Sequence, residues 1–337
     1  AVCGLWPSAV TDAAAASMSH VAWDGFAHHD TIFPLFLFIA GVSFPYSVAK
    51  QRAGGMSEGR IYAKIVRRGL TLVVLGMVYN GLFKLDFENL RIASVLGRIG
   101  LAWSIAAVLY LNFGVKTRAA IAVAVLAGYG ALSALVAAPD AAGAGPLTFE
   151  GNLAGYIDRQ FLPGKLIYGS FDPEGLLSTV PAVVTAMLGM FTGEFVRRGD
   201  IRGGRKTLWM AAAAAALLAA GLAFSGVLPV NKKLWSSTFV CVVGAYSLGM
   251  FALFYYLIDV RGWRRWTLFF RVVGLNSITI YLAQRIVGFG RISDFFLGGI
   301  ASKCPEAVAA VISSAGYVAV CWLFLYFLYR KNVFLKV

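Results

Sequence analysis

Charged residues are scarce in this 337-residue chain. Asp, Glu, Lys and Arg together make up 14% of it, while hydrophobic residues make up 59% and the mean hydropathy is +0.74. A soluble globular domain carries about 25% charged residues, because it needs polar groups to cover its surface. The composition therefore excludes a soluble globular protein.

Histidine and cysteine are scarcer still. The three histidines are His20, His28 and His29, and the four cysteines, at positions 3, 241, 304 and 321, have neither a CxxC motif nor a zinc-site spacing. Adjacent histidines rarely bind one ion without further ligands, so we expect no metal site. A disulfide between Cys3 and Cys304 is compatible with an outer location of both, but no other feature of the sequence favours it.

Long apolar runs fill the rest of the chain. Nine of them have about 20 residues, which is enough for a helix to cross roughly 30 Å of hydrocarbon. The sequence therefore predicts an all-α, polytopic membrane helical bundle. The opening "AVCGLW" is typical of the end of an earlier apolar segment, so we expect ten or more spans in the full-length chain. The predicted spans are 30–49, 69–84, 92–113, 118–138, 176–196, 207–228, 235–258, 267–288 and 306–329.

Acidic residues are few, and the net charge of +14 is unevenly distributed. If successive loops alternate between the two sides of the membrane, 19 of the 30 Lys and Arg residues fall on one side and eight on the other. Basic loops face the cytoplasm. The charge is thus a topology signal and does not indicate nucleic-acid binding. It places the stretch "SHVAWDGFAHHD" (19–30) outside the cytoplasm.

This outer stretch holds the first candidate catalytic residues. An imidazole titrates near neutral pH as a residue type, so His20 is a candidate general base or nucleophile. Asp30, ten residues later at the start of a predicted span, can orient it. A structural alternative stays open, in which Asp30 caps the helix and His20 is a solvated loop residue.

Polar residues inside predicted spans supply further candidates. Arg91 and Arg98 are seven residues apart, which predicts one face of a helix, and an intramembrane arginine indicates a polar cavity or an anionic ligand. The alternative is a structural pairing of Arg98 with an acid such as Glu194 or with helix-end carbonyls. Asn276 and Ser277 in "GLNSITIYLAQRIV" line a cavity or bond neighbouring helices.

The longest segment between spans, 139–175, lies on the outer side and is rich in aromatic residues. We expect it to fold over the outer face. Asp172 suits the cap of the following helix, with Pro173 and Glu174 in its first turn. Trp23 and Trp235 offer faces for sugar rings or belong to an interfacial aromatic belt.

Five segments, in order, resemble the heparan-α-glucosaminide N-acetyltransferase family and its bacterial relatives. They are "HVAWDG…D.IFPLFLFIAGVS", "LRIASVLGRIGLAW", "FDPEGLLSTVPAVVTAMLG", "NKKLWSSTFV" and "GLNSITIYL". The resemblance runs from about residue 20 to the end. It implies one transmembrane acyltransferase domain over 1–337, which moves the acetyl group of cytosolic acetyl-CoA to an amino sugar on the other side of the membrane. It also implies a homodimer.

The resemblance assigns catalysis to His20 and Asp30. Candidates for binding acetyl-CoA or stabilising its reacting carbonyl are Arg91, Arg98, Asn276 and Ser277. Candidates for binding the acceptor are Trp23, Asp24, Asp172, Glu174 and Trp235. Relatives commonly have asparagine where this chain has Asp24, and they lack histidine at 28 and 29, so the acceptor can differ.

Two other function classes compete with the enzyme. A sugar transporter or permease also needs a polar path through the bundle, although no inverted repeat is visible. A membrane scaffold without catalytic activity would have its intramembrane polar residues paired. The short loops and the lack of a large outer domain favour a bacterial inner-membrane protein.

Overall fold

A computed structural model of the chain describes residues 9–335, which form thirteen α-helices. Apart from two isolated bridges, these residues show no β pairing. The predicted all-α membrane fold is confirmed. The helices are α1 (Ala9–Ser17), α2 (Ile32–Ala53), α3 (Glu58–Tyr79), α4 (Val95–Asn112), α5 (Val115–Leu135), α6 (Leu153–Phe161), α7 (Thr179–Arg197), α8 (Gly203–Phe224), α9 (Ser237–Tyr255), α10 (Leu268–Leu275), α11 (Ser277–Ile286), α12 (Phe289–Ala301) and α13 (Glu306–Arg330).

Seven helices in residues 9–335 are long and apolar enough to cross a membrane, namely α2, α4, α5, α7, α8, α9 and α13. The pair α10 and α11, bent by 59°, makes an eighth if it counts as one span. The ninth predicted span, 69–84, falls on the second half of α3. This 22-residue helix fails the same criterion because its first half carries Arg60, Lys64, Arg67 and Arg68.

The chain divides into two compact units. One contains residues 20–261, and the other contains the described residues 9–19 together with 262–335. The predicted upstream segment and Cys3 lie outside the described residues.

In the 20–261 unit, α2 and α7 pack closely at the centre. Small residues allow this approach, since a Cβ on Gly189 would overlap the carbonyl oxygen of Phe38 and one on Gly193 would overlap that of Val42. Side chains of α4, α5 and α9 complete the core around this pair. As a result α2, whose start carries Asp30, is held firmly in the unit.

Local capping sets the starts of several helices. Ser94 accepts a hydrogen bond from Gly97 N at 2.9 Å and begins α4, and Asn152 does the same for Gly155 N at 2.7 Å in α6. The side chain of Ser236 caps α9. The predicted cap at Asp172 is wrong, because α7 begins at Thr179 after Ser178 and residues 172–178 form turns.

The second unit is organised around α13. Helix α10 contacts it through Phe269, whose ring stacks on Trp322 at a centroid distance of 5.7 Å. Helix α12, which the apolar pattern did not predict as a separate element, packs on α13 where Gly316 meets Ser293 and Leu297.

Candidate active site

His20 and Asp30 form a hydrogen-bonded pair at the start of α2. His20 Nδ1 lies 2.6 Å from Asp30 Oδ1, and the side chain of His20 is 55% exposed whereas that of Asp30 is 2% exposed. Asp30 lies in a short 3-10 turn, His28–Thr31, directly before α2. The Ala27 N–H donates to Oδ2 of Asp30 at 3.3 Å. With Asp30 ionised, Nδ1 of His20 carries the hydrogen of this bond, so in the uncharged imidazole the lone pair is on Nε2. The pair can therefore accept a proton or attack a carbonyl.

Lys232 reaches the same pair from the loop before α9. Its ammonium nitrogen lies 3.2 Å from Asp30 Oδ1 and 3.1 Å from His20 Nδ1. Sequence reasoning missed this residue. The available signal was "NKK" in one of the family-like segments, but nothing in it indicates a contact 212 residues away in the chain.

The turn that presents Lys232, residues 229–236, is tightly closed. Asn231 is fully buried, and its side-chain oxygen accepts from Leu234 N at 2.9 Å. Its amide nitrogen donates to Asp24 at 3.1 Å, and Gly25 N donates to Val230 O at 2.8 Å. Asp24, a predicted acceptor-binding residue, is exposed. Its hydrogen bond with Asn231 links this turn to the loop that carries His20.

Trp23 joins the His20 loop to the long segment 139–175. Its indole N–H donates to Leu147 O at 2.9 Å, and its ring contacts Phe149 and Phe171 at centroid distances of 5.2 and 5.6 Å. The ammonium of Lys233 lies 4.7 Å from the ring centroid of Tyr168 in the same cluster. These aromatic rings mainly pack on one another, beside the candidate pair.

Arg91, Asp172 and Glu174, predicted for separate roles, form one ion cluster. Arg91 donates to both oxygens of Asp172 at 2.6 Å and also pairs with Glu174. Although burial opposes its charge, the two carboxylates hold the pKa of Arg91 above its ordinary value. The cluster fixes the start of the α7 segment to the extended stretch before α4.

The predicted shared face of Arg91 and Arg98 is wrong, because α4 begins at Val95 and Arg91 lies before it. Arg98 is 1% exposed in the first turns of α4. Its guanidinium donates to Ser178 and Gly175 and lies 4.9 Å from the Trp235 ring centroid.

Two Arg98 nitrogens, Nε and Nη1, have no hydrogen-bond partner among residues 9–335. The alternative pair with Glu194 is absent from that part of the chain, since Glu194 binds Arg118 at 2.7 Å. A buried cation with unused donors is typical of a site for an anionic or strongly polar group.

Trp235 lies above Arg98 in a conformation that a bulky residue rarely adopts. Its φ is +52°, it is 1% exposed, and its indole N–H donates to Thr185 at 3.3 Å. Such backbone strain needs surrounding bonds to maintain it, and Trp235 N donates to Lys232 O at 3.0 Å. Lys232 and Trp235 thus extend from the same turn in different directions. Lys232 points toward the His20–Asp30 pair, and Trp235 points toward the core.

Asn276 and Ser277 belong to the second unit. Asn276 is 2% exposed at the break between α10 and α11, and its side-chain oxygen accepts from Thr279 at 3.2 Å. Its amide nitrogen has no partner within residues 9–335. Ser277 begins α11. The oxyanion-binding role predicted for both stays a prediction.

The two remaining histidines lie near the pair. His29 places its ring centroid 4.3 Å from that of His20, and His28 contacts the Tyr246 hydroxyl at 3.2 Å. Among the described residues no group of three or more His, Cys, Asp or Glu side chains is placed to hold a metal ion.

Comparison with known proteins gives a consistent picture. The family model described as "Heparan-alpha-glucosaminide N-acetyltransferase, catalytic" matches residues 5–226. The human protein named heparan-alpha-glucosaminide N-acetyltransferase is 27% identical over 375 aligned positions, covering 94% of this chain and 55% of that protein. The mouse protein of the same name is 26% identical over 372 positions, covering 94% and 56%. The chain spans about half the length of these curated relatives.

Proposed function

Since this chain belongs to the heparan-alpha-glucosaminide N-acetyltransferase catalytic family, as its motifs predict, we propose that it is a transmembrane acetyltransferase. It takes the acetyl group of cytosolic acetyl-CoA and delivers it to the amine of an amino sugar, of the glucosamine type, on the outer side. The observation that carries the proposal is the pair of half-exposed His20 and buried Asp30, 2.6 Å apart.

The chemistry needs a base because an amino sugar near neutral pH is largely protonated. In direct transfer, His20 Nε2 removes a proton from the ammonium, and the free amine attacks the thioester carbonyl. The carbon–sulfur bond breaks, and CoA leaves as a thiol with the second amine proton. In the two-step route, Nε2 attacks the thioester carbonyl first, the carbon–sulfur bond breaks, and CoA leaves as a thiolate, which takes a proton from the sugar ammonium. The free amine then attacks the acetyl group, the bond to Nε2 breaks, and Nε2 takes the remaining amine proton. Asp30 stabilises the charged imidazole in both routes.

The candidate binding residues take different roles in this proposal. Arg98, with two donors that have no partner in residues 9–335, is the group we assign to a polar part of acetyl-CoA. Trp23 and Asp24, which follow His20, are candidates for contacting the acceptor. We assign a structural role to the ion cluster of Arg91, Asp172 and Glu174, and the same role to the buried Trp235.

We also propose that segment 139–175 covers the site from the outer side. The hydrogen bond from Trp23 to Leu147 supports this, because it ties the segment to the residues that follow His20. All of 1–337 then acts as one acyltransferase domain.

The proposed sidedness rests on charge. The basic loops, among them the one between α7 and α8, face the cytoplasm, and so does the C-terminus. His20 then faces the periplasm of a bacterial inner membrane. A homodimer is part of the proposal by family likeness.

The first experiment measures transfer of labelled acetyl from acetyl-CoA to glucosamine by the purified full-length protein. Wild type is compared with His20→Ala and with His28→Ala as a matched control, and acetyl-CoA binding is recorded for each. We expect His20→Ala to bind the donor but to transfer about 100- to 10,000-fold more slowly, and His28→Ala to transfer normally.

Other outcomes change the proposal in defined ways. Binding of acetyl-CoA without transfer by wild type would assign the acceptor to another amine or hydroxyl compound. A wild type that binds no acetyl-CoA would favour a transporter.

A further inference from the structure

The ammonium of Lys232 lies against both members of the proposed catalytic pair. It is 3.2 Å from the Asp30 oxygen that His20 also contacts, and 3.1 Å from His20 Nδ1. Asp30 Oδ1, His20 Nδ1 and Lys232 Nζ thus form the three corners of a triangle. A buried carboxylate shared by a cation and an imidazole has its charge already balanced before the imidazole takes a proton.

We propose that Lys232 is a positioning residue for acetyl transfer, which shares Asp30 with His20 and keeps the imidazole uncharged and reactive near neutral pH. This inference rests on the proposed role of His20 as base or nucleophile. Lys232 acts through His20 and Asp30 and need not touch a substrate.

Electrostatics gives the direction of the effect. Without Lys232, Asp30 would favour the charged form of the His20 imidazole. In that form Nε2 carries a proton and has no lone pair for attack or proton transfer. Lys232 disfavours a second positive charge beside it. His29, whose ring centroid is 4.3 Å away, adds to this disfavour whenever it is protonated. The groups that face His20 are thus Asp30 and His29 from the start of α2 and Lys232 from the 229–236 turn.

The turn holds Lys232 in this place by more than one bond. Asn231 is buried and binds Asp24, Leu234 and Ser236, while Lys232 O accepts from the strained Trp235. The lysine side chain is 22% exposed, so it is partly desolvated rather than free in water. Partial burial makes its attraction to Asp30 stronger than that of a fully exposed ion pair.

Its neighbour Lys233 shows that the arrangement is specific to one residue. Lys233 comes from the same turn, but its ammonium donates to Ala22 O and lies over Tyr168. Only the first of the two lysines is directed to the pair.

The test measures how fast diethyl pyrocarbonate acylates His20 at each pH, because this reagent reacts with the uncharged imidazole. Mass spectrometry of the full chain after digestion resolves His20 from His28, whose reaction is an internal reference for an intact fold. The variants are Lys232→Met, Lys232→Arg and, as a matched loss of an exposed outer charge, Lys165→Met.

We expect the pH midpoint of His20 acylation to rise by about one unit in Lys232→Met, a tenfold loss of uncharged imidazole below the midpoint. Lys232→Arg and Lys165→Met should keep the wild-type midpoint. An unchanged midpoint in Lys232→Met, or an equal rise in Lys165→Met, would overturn the inference.

Acetyl transfer by the same proteins separates this inference from the proposed function. In Lys232→Met, kcat/KM should fall about tenfold at pH values well below the wild-type midpoint of His20 acylation and recover as the pH rises, whereas a merely structural defect would lower it equally at every pH. Transfer by wild type without the midpoint shift overturns the role of Lys232 alone. A midpoint shift without any transfer by wild type overturns both that role and the proposed function.

Discussion

The carboxylate of Asp158 in α6 accepts a hydrogen bond from the backbone N–H of Leu176, 2.9 Å away on the approach to α7. It also accepts a hydrogen bond from Asp172 N at 3.2 Å. One buried side chain therefore binds the backbone at both ends of the turn 172–176. Burial raises the pKa of Asp158 to about 6, and these two hydrogen bonds only partly offset it. Segment 139–175 therefore contains a group whose charge is unfavourable in the folded state.

This pKa predicts a pH dependence of stability with a defined sign. The folded pKa of about 6 lies above the ordinary aspartate value of 3.8, so the folded protein binds more protons than the unfolded one between these values. Stability from Asp158 is then present below about pH 4 and is lost as the pH rises through about 6, by up to about 3 kcal/mol.

The variant Asp158→Asn tests this in a thermal unfolding series from about pH 4.5 to about pH 7.5, a range that brackets the folded pKa. Because the amide side chain introduced by this change cannot ionise, the Tm of the variant relative to wild type should rise with pH. Asp140→Asn is the control, since the hydrogen bond from Arg159 lowers the pKa of Asp140 and moves its titration below this range. A Tm difference that does not change with pH would contradict the prediction.

The contact between α2 and α7 gives a second prediction. A methyl group on Gly189 would overlap the backbone of Phe38, whereas one on Gly128 of α5 would meet no atom within 4 Å. We expect Gly189→Ala to lose about 1–3 kcal/mol of stability, because the helices must separate, and Gly128→Ala to lose none. Thermal unfolding in detergent compares the two, and equal Tm values would mean that the helices do not pack this closely.

The sequence predicts the spans well and the loops poorly. A run of about 20 apolar residues predicts a helix by itself, since the backbone must satisfy its hydrogen bonds within the bilayer. The start of α7 was misplaced because Asp172 has the residue type of a cap. In the structure its carboxylate instead binds Arg91, 81 residues away, which no local pattern reveals.

The candidate site shows the same limit. His20 and Asp30 are ten residues apart and could be considered together, and the motifs supplied a chemical role for them. The contact of Lys232 with this pair could not be predicted from the sequence, because its position depends on the turn that Asn231 closes. Residue types indicated what chemistry was available, and the fold decided which groups meet.

Arg98 gives a third prediction, in which stability and function change differently. Its buried guanidinium has two nitrogens without partners in residues 9–335, which costs stability. Arg98→Met, a change of similar volume, should therefore keep or raise the Tm. If Arg98 binds acetyl-CoA, the affinity for it should fall about tenfold or more.

Arg68→Met is the matched control for this change. Arg68 also lies over a tryptophan, 4.3 Å from the ring centroid of Trp103, and has an unpartnered Nε among the described residues. It should leave acetyl-CoA binding unchanged. A large fall in the Tm of Arg98→Met with unchanged donor affinity would show that Arg98 is structural.

The last prediction concerns which side of the membrane His20 faces, since transfer across the membrane requires it to lie opposite the acetyl-CoA pool. Trp23 donates to Leu147, and Lys233 contacts both Ala22 and Tyr168, so the segment with Lys165 lies at the same end as His20. Helix α7 is long and apolar enough to cross a membrane, so Arg202, which follows it, lies at the other end. Single cysteines at these two exposed positions, in a chain whose four native cysteines are replaced, report the two sides. A membrane-impermeant maleimide should label Lys165→Cys in intact spheroplasts and Arg202→Cys only after permeabilisation, as the basic inner loops require. The reverse pattern would put His20 in the cytoplasm with acetyl-CoA. The reaction would then need no passage across the bilayer, and the charge argument for this chain would be wrong.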